Sequence, residues 1–163
     1  MGFHLGVSSI PNDIKAFMAC REFIDKSLYQ WVSEYEHLGE NSCIAVTGKY
    51  FNLNLKPLAQ LIYTGGDLDD AYLASGLQKS AALISLLDDL IKCIETDSGY
   101  IDKIDYSYEG PNSLETLSSK NDAQHPWGPF VKDGELSRQL SILRNKADCY
   151  LQRGHEEVIL TAG

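Results

Sequence analysis

Basic residues are scarce in this chain. Fourteen Lys and Arg stand against 23 Asp and Glu, a formal net charge of −9 over 163 residues. That balance disfavours nucleic acid or an anionic membrane surface as a direct partner. Proline is also scarce, at 5 residues, and no repeat or low-complexity tract is present. With 44% hydrophobic and 23% charged residues, collagen-like, coiled-coil and wholly disordered classes are excluded. The longest strongly apolar run, Ser80 to Ile94, is interrupted by Asp88, Asp89 and Lys92, and is too short and too charged to span a bilayer. The first residues, Met1 to Gly6, show no basic stretch followed by an apolar one, so no signal peptide is expected.

The chemistry-bearing motifs are equally sparse. There is no G-x-S-x-G, no phosphate-binding glycine loop and no G-x-G-x-x-G. Each of the four histidines, His4, His37, His125 and His155, is alone in its segment, and His155-Glu156-Glu157 lacks the second His of a zinc-protease helix. The four cysteines, Cys20, Cys43, Cys93 and Cys149, show neither C-x-x-C nor zinc-finger spacing. Three sit among apolar neighbours, where free Cys behaves as a small hydrophobe. Four reduced thiols in a cytosol-like, cytoplasmic compartment are therefore expected, with no disulfide framework, no metal and no cofactor.

A chain of this length fits one globular domain. Alternation of Phe3, Leu5 and Val7 predicts a strand over residues 2–8, and Val158-Ile159-Leu160 a second over 156–161. Ile14, Phe17, Ile24, Leu28, Trp31, Tyr35 and Leu38 recur at helical steps, which predicts one long helix over 12–38 ending at Gly39. Residues 43–46 and 50–55 read as a hairpin around Thr47-Gly48-Lys49. A short helix is expected from Pro57 to Tyr63, another capped by Asp67 through Ala74, and longer ones over 77–95 and 135–153. Residues 98–110 read as a strand or ordered loop, and 110–133 as a long loop pinned by Trp127 and Phe130. The fold class is α+β: three main helices on a small, mostly antiparallel sheet.

What is present is acid in one place. Residues 66–115 carry 11 acids against Lys79, Lys92 and Lys103, whereas the flanking segments are nearly neutral. Asp67, Asp69 and Asp70 form one cluster, whose spacing suits a hard cation but also a helix N-terminus. The second, Tyr100, Asp102, Asp105, Tyr106, Tyr108 and Glu109, interleaves tyrosines with carboxylates, as binding surfaces often do. These nine residues are the candidate partner-binding set. A solvated acidic face or an edge strand guarded by charge accounts for the same pattern.

In profile (small, acidic, mixed α and β, without a catalytic motif) the chain is similar to bacterial immunity proteins and phage-type inhibitors. That likeness implies occlusion of a basic toxin or nuclease and carries no residues over. The expectation is a non-enzymatic protein-binding module whose partner is a basic protein. The alternatives are a small metal-dependent enzyme assembled from Asp67, Asp69, His125 and His155, or an adaptor subunit docking through helix 77–95.

Overall fold

The computed structural model describes residues 3–104 and 125–163. Strands β1 (Leu5–Ser8), β2 (Leu61–Tyr63), β3 (Gln78–Lys79) and β4 (Glu157–Ala162) form one sheet in which every other strand pairs with β4. Leu5 faces Ala162 and Val7 faces Leu160 in an antiparallel ladder, β3 is antiparallel to the start of β4, and β2 runs parallel to it. The two ends of the chain are thus joined at the sheet's centre. Among the described residues β1 is an edge strand.

Seven α-helices are present among the described residues. They are α1 (Ile14–Ala19), α2 (Lys26–Leu38), α3 (Cys43–Phe51), α4 (Asp70–Ser75), α5 (Ser80–Thr96), α6 (Gly128–Lys132) and α7 (Glu135–Gln152). The core lies between α5 and α7. Leu83, Leu87, Leu90 and Ile94 recur on one side of α5 and meet Leu136, Leu140, Leu143 and Ala147 of α7, with Val158 and Leu160 of β4 beneath. The architecture is α+β, and no helix among the described residues is long and apolar enough to cross a membrane.

Several expected elements differ. The helix expected over 12–38 is two helices separated by residues 20–25. Asp25 caps α2 by accepting from the Ser27 N–H, and its own N–H donates to Gln139 Oε1, so the backbone there is satisfied outside a helix. The apolar period reads straight through that break. Ile14, Phe17 and Met18 consequently lie exposed, and only Ala16 of α1 is buried.

The hairpin expected at 43–55 is helix α3. Ser42 caps it by accepting from the Ala45 N–H, and Asn52 closes it in the left-handed conformation with φ 57°. Gly48 is needed for close approach rather than for a turn: a Cβ there would sit 2.7 Å from the Leu53 carbonyl oxygen. The stretch 57–63 contains a short 3-10 turn (Lys56–Ala59) followed by β2, and residues 98–102 form another such turn. Within the loop expected over 110–133, residues 128–132 are helical; the remainder up to 124 lies outside the described residues.

Cys20 and Cys149 form a disulfide that joins the end of α1 to the last turns of α7. This corrects the expectation of four reduced thiols and removes the compartment argument that rested on it. Spacing along the chain gave no hint of it, because the two cysteines lie 129 residues apart and only the packing of α1 on α7 brings them together.

Candidate functional site

The first acidic cluster sits between β2 and α4. Asp69, not Asp67, is the N-cap of α4: its carboxylate accepts the Tyr72 N–H at 2.7 Å, and Asp70 occupies the first helical turn. Both placements complement the positive end of the helix, so two of the three acids have a local structural purpose. Asp67 is exposed and has no such bond among the described residues.

The second cluster is divided by the fold. Tyr100 is fully buried, so it is a core residue and not a surface anchor. Its ring packs at 4.7 Å from that of Phe51, and its hydroxyl pairs with Thr47 Oγ1 at 2.9 Å. Burial pushes its phenol well above the ordinary tyrosine value. The reason is the 3-10 turn over 98–102, which folds Tyr100 and Ile101 inward and leaves Asp102 outside. Asp102 is exposed and accepts from Lys132 Nζ at 2.9 Å. Asp105, Tyr106, Tyr108 and Glu109 lie outside the described residues.

The acids of 67–102 therefore form no single patch. Asp67, Asp69 and Asp70 precede α4, Asp88 and Asp89 lie midway along α5, and Glu95, Asp97 and Asp102 surround its C-terminal end. Asp88 pairs with Arg144 at 3.0 Å, Asp97 with Lys103 at 3.9 Å, and Asp102 with Lys132. Asp67, Asp69, Asp70, Asp89 and Glu95 have no ion-pair partner among the described residues, and all five are exposed.

The set named for a metal-dependent enzyme is not brought together. His155 Nε2 lies 2.7 Å from Asp13 Oδ2, where it holds the Asp13 carboxyl below its ordinary value of 3.8. His125 Nδ1 accepts the Trp127 N–H. Asp67 and Asp69 belong to the α4 entry. Among the described residues no three His, Cys, Asp or Glu side chains converge as a metal site.

The two cysteines outside the disulfide differ in environment. Cys43 is buried, and burial pushes its thiol up to about 12, whereas Cys93 is half-buried on α5. Iodoacetamide near neutral pH is expected to alkylate Cys93 in the native protein and to spare Cys43 until unfolding, as read by peptide mass spectrometry. Modification of native Cys43 would contradict this environment.

A feature that the apolar period concealed is a groove of about 700 Å³ over the outer side of β1 and β4. Ile10, Phe17, Phe23, Leu68 and Leu73 are among the apolar residues that line it. Phe17 and Phe23 are 54% and 67% exposed, although the helical spacing assigned Phe17 to a buried stripe. The lining also carries two basic residues, Arg21 and Lys146, and two acidic ones, Glu22 and Asp70.

Comparison with protein-family models, with curated proteins and with solved structures finds no match to this chain.

Proposed function

We propose that the protein is a non-enzymatic protein-binding module that neutralises a basic toxin or nuclease by covering its cationic surface. The observation that supports this reading is five exposed carboxylates, Asp67, Asp69 and Asp70 at the start of α4 and Asp89 and Glu95 on α5, none of which forms an ion pair among the described residues. Exposed carboxylates outside ion pairs attract a partner's Lys and Arg and accelerate encounter at low salt; Asp67, Asp89 and Glu95 serve no helix cap, whereas Asp69 and Asp70 already complement the start of α4. Occlusion then requires only that these side chains occupy the positions that phosphate groups would otherwise take.

The test is capture from a lysate of the source organism at low salt, with stepwise salt elution, followed by kinetics with the captured protein. One stoichiometric basic partner is expected, with an association rate that falls at least about tenfold as ionic strength rises to the physiological range. Asp67→Lys combined with Asp89→Lys should slow association by roughly another tenfold without changing the thermal melt. The absence of any basic partner, or undiminished association of the folded double variant, would overturn the proposal.

A further inference from the structure

The Cys20–Cys149 bridge fastens a segment that apolar burial barely holds. Of residues 9–25, which join β1 to α2, only Ser9, Ala16, Cys20 and Ile24 are buried, while Ile14, Phe17, Met18 and Phe23 stand exposed. The other ties are polar. His155 Nε2 meets Asp13 Oδ2 at 2.7 Å, and Lys146 Nζ donates to the Cys20 and Glu22 carbonyls. His4 Nδ1 donates to the Ile24 carbonyl at 3.1 Å, and the Asp25 N–H donates to Gln139 Oε1. Apart from His4, these partners lie on α7 or in the connection that follows it, as Cys149 does. The bridge is the single covalent member of the set. Hydrogen bonds at half-exposed positions exchange readily for bonds to water, so without the bridge the segment belongs to the least stable part of the fold.

The core depends on this segment far less. Ala16, Cys20 and Ile24 join the apolar core, but the stripe of Leu83, Leu87 and Leu90 against Leu136, Leu140 and Leu143 contains no residue of 9–25. The groove does depend on it, because Ile10, Phe17, Phe23 and Ile24 are part of its lining. The two sulfurs are also unequally placed, Cys20 buried and Cys149 half-buried. An external thiolate is therefore directed to Cys149 Sγ, with Cys20 as the leaving group.

We infer that the Cys20–Cys149 bridge is a redox latch: closed, it pins residues 9–25 against α7 and completes the groove, and reduction by a dithiol frees that segment while the α5–α7 core stays folded. The dithiol's first thiolate bonds to Cys149 Sγ as the Sγ–Sγ bond breaks, and Cys20 leaves as a thiolate that takes up a proton. The second thiolate attacks the dithiol's own sulfur in the mixed disulfide. Cys149 leaves and is protonated, and the dithiol departs as a disulfide, having given up two electrons. None of Asp67, Asp69, Asp70, Asp89 and Glu95 lies in residues 9–25, so the latch and the preceding proposal stand or fall separately.

The probe is dithiothreitol on the full chain under native conditions, read by alkylation and by peptide-resolved hydrogen exchange. Cys20 and Cys149 should become alkylated in the folded protein. Exchange over residues 10–25 should accelerate about tenfold or more, while α5 and residues 135–146 of α7 stay as slow as before. Trypsin should cut after Lys15 and Arg21 faster by a similar factor, and oxidised glutathione should restore the unalkylated protein. Cys20→Ser with Cys149→Ser should exchange over 10–25 like the reduced parent and ignore dithiothreitol. Three results would overturn the inference. The bridge withstands dithiothreitol until the chain unfolds, the reduced parent exchanges over 10–25 as the oxidised one does, or α5 and α7 open together with the segment. The last would make the bridge a staple of the whole fold.

Discussion

Replacing Cys20 and Cys149 together by serine is expected to lower stability by roughly 3–5 kcal/mol, because the bridge closes a loop across most of the chain and thereby restricts the unfolded ensemble. For a domain of this size that corresponds to a fall in melting temperature of about 10 °C. The loss should begin locally. α1 buries only Ala16, so apolar burial does little to hold it in place. It is held instead by the disulfide, by Lys146 Nζ donating to the Cys20 and Glu22 carbonyls at 2.9 Å, and by the bond between Asp13 and His155. Burial lowers the Lys146 ammonium below the ordinary lysine value, because desolvation penalises the charged form more than the nearby Glu22 favours it. Hydrogen exchange over residues 14–25 should accelerate before the rest of the domain opens. A thiol titration checks the premise: denatured, unreduced protein should show two reactive thiols, and reduced protein four. Four thiols without reduction, or a double-serine variant that melts with the parent, would contradict the bridge's stabilising role.

Leu87→Ala should be of comparable severity, costing about 2–5 kcal/mol. Leu87 is fully buried at the centre of the α5 stripe, between the α5 residues Leu83 and Leu90 and opposite the leucines of α7. Truncation removes transfer free energy and leaves a cavity that two long, mutually packed helices collapse around only in part. Ile91, four residues on and only half-buried, is the matched comparison; Ile91→Ala should cost distinctly less in the same urea titration. Equal midpoints for the two variants would mean that the helix presents a different face to α7.

The elements legible in the sequence were those whose local and tertiary demands agree. α5 and α7 follow from long apolar periods that no internal cap interrupts, and β1 and β4 from short alternating or continuous apolar runs at the two ends. The errors fall where two signals compete. At 43–51 the β-branched and aromatic residues read as strand, yet Ser42 and Asn52 supply both caps, and burial of Cys43, Ile44 and Thr47 on one side completes a helix. At 14–38 the apolar period continued across Asp25, whose capping bond starts a new helix and leaves the preceding apolar residues outside.

The same distinction governs the candidate sites. The order of residues alone determined that the chain is α+β in pattern, strongly acidic, and acidic chiefly within one third of its length, because propensity, period and charge are properties of residues and their near neighbours. Tertiary structure alone decided that Tyr100 is core while Asp102 is surface, and that Cys20 reaches Cys149. It also left Phe17 and Phe23 exposed beside a groove. Each of these depends on contacts between segments far apart in the chain. A local pattern cannot encode such contacts, because it does not specify which of two compatible faces the rest of the chain will cover.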